Sequence, residues 1–148
     1  MPALLVFGVR NLGRAIAAHM AGSGWSVAAV ARSAESLARL EADVPGALGI
    51  AGDAGSEADV EHAFAEARSR FGFVDLVVVA ISPAMRGRSF GGGTLAEADS
   101  EAMAPYVDEL LPALFTVLRI GSRVLGEQGN GTYVQITGGS ARRGMPGR

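Results

Sequence analysis

The chain is expected to fold as an α/β domain: a doubly wound parallel sheet of strand order 3-2-1-4-5, sandwiched between two helical layers in an αβα arrangement. Three observations carry that expectation. Short apolar runs rich in Val, Leu and Ile alternate with stretches of helical period. The middle runs are continuously apolar, as parallel strands covered on both faces are. A glycine turn follows the first run directly, at the point where strand order in such sheets reverses and ligands collect. Residues 1–148 are read as a single domain of this kind.

The elements follow in order. ALLVF (3–7) is the first strand, and the helix after it, 12–21, sets Leu12, Ile16 and Met20 on one stripe before Gly22 stops it. SVAAVA (26–31) is the second strand. Ser33 caps a helix to about Asp43, halted by Pro45-Gly46. ALGIA (47–51) is the third strand. Ser56, with Asp59 three residues on, resembles a capping box, and Val60, Phe64, Ala67 and Phe71 then line one helical face. VDLVVVAI (74–81) and GTYVQIT (131–137) supply strands four and five. Between them, the segment from about 100 to 127 is apolar on more than one face, and Pro112 is expected to bend it. A helix apolar on two sides is covered on two sides, by its own sheet and by a second copy of the chain. A homo-oligomer, in the first instance a dimer, is therefore expected through 105–125.

Composition narrows the function. Thirteen basic against fifteen acidic residues leave a formal charge of −2, so no global field draws the chain to nucleic acid or a membrane surface. The absence of cysteine excludes disulfides and thiolate metal sites, and a reducing cytoplasm is the expected setting. MPALLVF does not read as a signal peptide, and FVDLVVVAI is too short to span a bilayer and contains Asp75. His19 and His62 have no companions at metal-ligand spacing. All thirteen basic residues are arginine, so an ammonium-based mechanism is closed to these side chains.

The turn GVRNLG (8–13) matches G-x-G-x-x-G with Arg10 in the middle position. Gly8 permits a tight turn, and Gly13 lets the helix approach the strand. The helix then points its free N–H groups and positive dipole end at whatever lies above. Arg10 obstructs the closest approach of a pyrophosphate, yet offers a guanidinium that forks onto phosphate. A P-loop reading of the same letters fails, because Arg14 replaces the lysine and Ala15 the magnesium-holding hydroxyl. A turn that serves only packing stands beside the ligand-holding reading on these residues alone. Two further strand ends weigh against it: Arg32 falls where an adenosine ribose would lie, and Asp53 is able to accept from an exocyclic amine.

On FGVRNLGRAIA, VARS, GDAGSEADV, FGFVDLVVVA and GNGTYVQITGGSARRGMPG, the sequence resembles the short-chain dehydrogenase/reductase family over essentially its whole length. The resemblance implies a Rossmann-like fold and a nicotinamide dinucleotide. Gly8, Arg10, Asn11, Leu12 and Gly13 would meet its diphosphate, Arg32 with Ser33 its 2′-phosphate, and Asp53 and Ala54 its adenine. Ala80 would also touch it. NADP(H) is expected over NAD(H), and a small-molecule carbonyl or alcohol is the expected substrate.

The sequence departs from the family pattern in several places. The family turn TGxxxGxG is one residue shorter here, NNAG appears as VAIS (79–82), and the asparagine of the fourth helix aligns with Leu110. The active-site serine falls on Gly138, with Thr137 before it and Ser140 two residues after; these two hydroxyls are the candidates for polarising a carbonyl. The family's Tyr-x-x-x-Lys pair would fall beyond Arg148, and Tyr106 and Tyr133 are the chain's tyrosines. The residues thus read as the cofactor-binding half of an oxidoreductase. A non-catalytic nucleotide-binding or scaffolding relative is the alternative. RGRSFGGGT (86–94) suits a substrate loop and equally a plain flexible connection.

Overall fold

Strands form where the apolar runs lie, because residues buried on both faces need side chains that pack without polar atoms. In a computed structural model, which describes residues 1–83 and 95–138, these are β1 (Ala3–Phe7), β2 (Ser26–Ala31), β3 (Leu48–Ala51), β4 (Leu76–Val79) and β5 (Thr132–Gln135). All pairings are parallel, in the order β3-β2-β1-β4-β5, as expected. Leu5 of β1 stands level with Ala28 on one side and Val77 on the other, so the first strand is the centre of the sheet.

Alternate residues of β1 feed opposite layers. Leu4 and Val6 pack with Ala17, Leu37 and Leu40 of α1 (Leu12–Gly22) and α2 (Ala34–Asp43). Leu5 and Phe7 pack with Val60, Phe64, Val117 and Ile120 of α3 (Glu57–Phe71) and α4 (Leu111–Gln128). The Phe7 and Phe64 rings lie 6.1 Å apart, tilted at 43°. The expected caps form: Ser33 Oγ accepts from the Ser36 N–H and Ser56 Oγ from the Asp59 N–H.

Three elements differ from the sequence expectation by more than one residue: β5, which spans Thr132–Gln135 rather than 131–137, β4, and the segment before α4. β4 is shorter than 74–81, and the chain leading into it is bonded by side chains as well as by backbone. The Gln128 amide accepts from the Val74 N–H at 3.1 Å and donates to the Val74 carbonyl at 2.9 Å, standing in for a neighbouring strand. The Asp75 carboxylate accepts the Ala3 N–H at 2.8 Å. The segment before α4 is not a uniform helix either. Two short 3₁₀ turns (Leu95–Glu97 and Ser100–Ala102) lead into a π-helical stretch, Pro105–Leu110, which runs into α4. Pro112 has no N–H, and its ring would crowd the carbonyl four residues back in a regular α-helix. The chain winds wider there, and the Leu111 N–H reaches the Tyr106 carbonyl five residues back.

α4 buries Ala113, Val117, Ile120 and Val124 on one face. Its other face leaves Leu111 and Phe115 each 62% exposed, continuing a stripe from Val107 to Leu118. Among the described residues, no helix is long and apolar enough to cross a membrane.

Candidate functional site

The turn after β1 is built by two close approaches. Gly8 has φ +86°, and a Cβ there would lie 2.8 Å from the Ala80 carbonyl oxygen. Only glycine fits both demands. A Cβ at Gly13 would lie 1.8 Å from the Gly8 carbonyl oxygen, so the first turn of α1 sits directly against the loop. The start of α1 is open: its cap residue Asn11 makes no side-chain cap hydrogen bond, and its first turn carries no acidic residue. The loop leaves a helix start without a side-chain cap, its positive dipole end close to the Arg10 that lines the cleft above.

Above this turn lies a cleft of about 420 Å³, bounded by the carboxyl ends of β1 to β4 and by the end of the π-helical stretch. That volume suits a small-molecule site, which typically occupies roughly 300–1,000 Å³. The cleft brings together Gly8, Arg10, Arg32, Ser33, Asp53, Ala54 and Ala80. Asn11, Leu12 and Gly13 stand outside its wall; Leu12 is exposed, and Gly13 lies beneath the turn.

The charged groups are arranged by side. Arg32 at the exit of β2 approaches Asp53 beyond β3, with Nη1 3.9 Å from Oδ2 and both side chains open to solvent. Asp53 is itself held: its N–H donates to Asp59 at 2.8 Å, and its Oδ1 accepts the Gly55 N–H at 2.8 Å. Arg10 turns the other way and donates to Ser82 Oγ at 2.9 Å, beyond the end of β4. Asp108, Glu109 and Leu110 form the far wall with Pro112.

Thr137 is exposed where the chain leaves β5 and is not part of the wall. Ser140, and the loop 86–94, lie outside the described residues. Leu110, aligned with the expected asparagine, lines the cleft with a side chain that has no polar atom. Tyr133 stands apart from the cleft: its ring packs by Gly121 of α4, its hydroxyl donates to Gln135, and burial pushes its pKa up. Ser82, Asp108 and Glu109 were missed on sequence. Ser82 directly follows an apolar strand, the position where ligands of such sheets collect, and that was the available signal. For Asp108 and Glu109 the signal was weaker: a proline three residues after an acid pair.

Residues 7–148 match the model of a family described as enoyl-(acyl carrier protein) reductase. A cis-2,3-dihydrobiphenyl-2,3-diol dehydrogenase of Paraburkholderia xenovorans (strain LB400) is 38% identical over 76 residues, 51% of this chain and 27% of that protein. Among solved structures, a short chain dehydrogenase from Bacillus anthracis str. 'Ames Ancestor' superposes with a TM-score of 0.82 at 16% identity, over 99% of this chain and 59% of that one. An actinorhodin polyketide ketoreductase with NADPH gives 0.77 at 26% identity, over 99% and 56%. An NAD+-bound xylitol dehydrogenase gives 0.83 at 23%, over 99% and 56%. The chain thus spans little more than half the length of these structures, and its match covers about a quarter of the curated relative.

Proposed function

The chain belongs to the short-chain dehydrogenase/reductase family, and from that premise we propose that its cleft binds a nicotinamide dinucleotide, with NADP(H) preferred over NAD(H), for reduction of a carbonyl or oxidation of an alcohol. One observation carries the reading. A glycine cradle that a Cβ would fill at Gly8 and Gly13, an uncapped helix start, Arg32 and Asp53 meet at the carboxyl edge of one sheet. These residues fit the group. The open N–H groups of α1 would hold the diphosphate. The Arg32 guanidinium would fork onto a 2′-phosphate, exchanging its loose contact with Asp53 for a doubly charged partner. Asp53 Oδ2 would accept from the adenine amine. When bound, the nicotinamide supplies hydride-transfer chemistry. Thr137 and Ser140 are the hydroxyls this reading assigns to the carbonyl oxygen, and the proton donor is a group outside the described residues.

Calorimetric titration tests it. Binding of NADPH, tighter than that of NADH, is expected; no heat with either dinucleotide at millimolar concentration would sink the reading. A second reading, a nucleotide-binding relative without catalysis, draws support from Leu110 in place of a hydrogen-bonding side chain and from Thr137 outside the cleft wall. NADPH consumption with any member of an aldehyde and ketone panel rules that out. The reading also includes a homodimer through α4, supported by the exposed stripe Val107, Leu111, Phe115 and Leu118. Light scattering at micromolar concentration should give twice the chain mass, and Phe115→Asp should halve it.

A further inference from the structure

We infer that the Asn130–Gly131 link, in the turn that feeds β5, is a site of spontaneous covalent modification: the Gly131 nitrogen attacks the Asn130 side chain, ammonia leaves, and the product loosens the junction of β4 and β5. The inference does not depend on the nucleotide-binding reading. An asparagine followed by glycine is the pair in which this attack meets least hindrance, because no side chain shields the glycine nitrogen. The chain has two asparagines, and the other, Asn11, precedes the bulky Leu12 at the start of α1. The turn leaves the reacting groups open. Asn130, Gly131 and Thr132 are all exposed. Among the described residues the Gly131 N–H makes no hydrogen bond, whereas the N–H groups of Gly129 and Thr132 donate to the Leu125 and Asp75 carbonyls. Gly131 has φ +131°, and a Cβ there would lie 2.6 Å from Leu125 Cδ2, so the fold demands the glycine and keeps the unshielded nitrogen with it.

The side chain is set for the step. Asn130 Oδ1 accepts from Gln128 Nε2 at 3.0 Å, which polarises the Cγ carbonyl and stabilises the oxyanion formed on attack. Asn130 Nδ2, the leaving atom, has no partner among the described residues. The Gly131 nitrogen bonds to Asn130 Cγ and closes a cyclic imide; the Cγ–Nδ2 bond breaks, and ammonia leaves with the Gly131 proton. Water then opens the imide, with no oxidant or reductant involved. Cleavage of the new Cγ–N bond gives aspartate. Cleavage of the original backbone C–N bond gives isoaspartate, whose main chain runs through Cβ and Cγ and is longer. That extra length enters just before Thr132, which pairs with Leu76 of β4. It also lies beside Gln128, whose amide ties the Asn130 carbonyl and side chain to Val74. The Gly131 pocket against Leu125 has no room to absorb the displacement.

The test incubates the wild-type chain, folded and in guanidinium chloride, at mildly alkaline pH, where the attacking nitrogen loses its proton more readily. Trypsin places the two asparagines on separate peptides, 11–14 and 124–142. The 124–142 peptide should shift by the mass of an NH₂-to-OH exchange and resolve into aspartate and isoaspartate forms, while 11–14 stays intact. The folded chain should convert within about tenfold of the unfolded rate, because an exposed turn needs little opening. A folded chain that converts about a hundredfold more slowly than the unfolded one, or as fast at Asn11 as at Asn130, would overturn the inference. Urea unfolding of the aged, isoaspartate-containing protein should show a midpoint lowered by roughly 0.5 M. Asn130→Gln, whose longer side chain must close a larger ring, should keep its own starting midpoint through the same incubation. A converted wild-type protein with an unchanged midpoint would overturn the coupling to β4 and β5.

Discussion

Replacing Gly13 by alanine places a methyl group 1.8 Å from the Gly8 carbonyl oxygen and 3.2 Å from the Ala80 Cβ. The first obstacle is backbone, not the end of a flexible side chain, so α1 must rise by more than an ångström to restore contact distance. Overpacking of that kind costs about 1–3 kcal/mol, partly offset by up to about 1 kcal/mol that alanine returns over glycine in a helix. A net loss of about 2 kcal/mol lowers the melting temperature by roughly 4–8 °C for a chain of this size. The control lies in the same helix: Gly22, with nothing within 4 Å of its built Cβ and no positive φ, should accept alanine without loss. Thermal unfolding followed by circular dichroism reads both variants. A Gly13→Ala melt within about 1 °C of wild type would refute the close-approach account of the turn. Because lifting α1 also withdraws its N–H groups, NADPH affinity should fall in the same variant.

Asp53→Asn keeps an oxygen for the Gly55 N–H but removes the charge facing Arg32. The exposed pair is worth at most about 1 kcal/mol, so the NADPH-to-NADH affinity ratio should rise by up to about fivefold in calorimetry; a falling ratio contradicts the placement of Arg32. Tyr133 gives a pH signature. Burial raises its pKa above 10.0, so the folded state keeps the proton longer than the unfolded chain. The stability this contributes is complete below pH 10.0 and is lost as pH rises through the folded value, and Tyr133→Phe should flatten that decline in urea midpoints taken between about pH 9 and pH 11. Gln128→Ala strips the Val74 N–H and carbonyl of their amide partner and should cost about 1–2 kcal/mol in urea unfolding; an unchanged midpoint would show that solvent replaces the amide fully.

Much of the fold was legible because it rests on local chemistry. Continuous apolar runs mark strands buried on both faces, and β1 is buried along its whole length. Ser33 and Ser56 announce helix starts because a hydroxyl satisfies a free N–H. Gly8 and Gly13 announce the turn because other residues collide there, and their spacing is local too. The strand-end residues Arg32 and Asp53 reach one cleft because strand ends of a parallel sheet share an edge.

Other features needed three dimensions. The Arg10–Ser82 contact joins residues 72 positions apart, and no periodicity tells a turn cation which neighbouring strand to face. The π-helical winding before Pro112, which carries Asp108, Glu109 and Leu110 to the cleft wall, depends on how far the backbone opens to admit the proline ring. The layers, the order of the strands and the glycine turn could be read from the chain alone, because continuous apolar runs mark covered strands, right-handed crossovers constrain their order, and the turn is a matter of local sterics. Tertiary structure alone decided the direction of the Arg10 charge and the shape of the far wall, because both are set by groups that meet only once the sheet has formed.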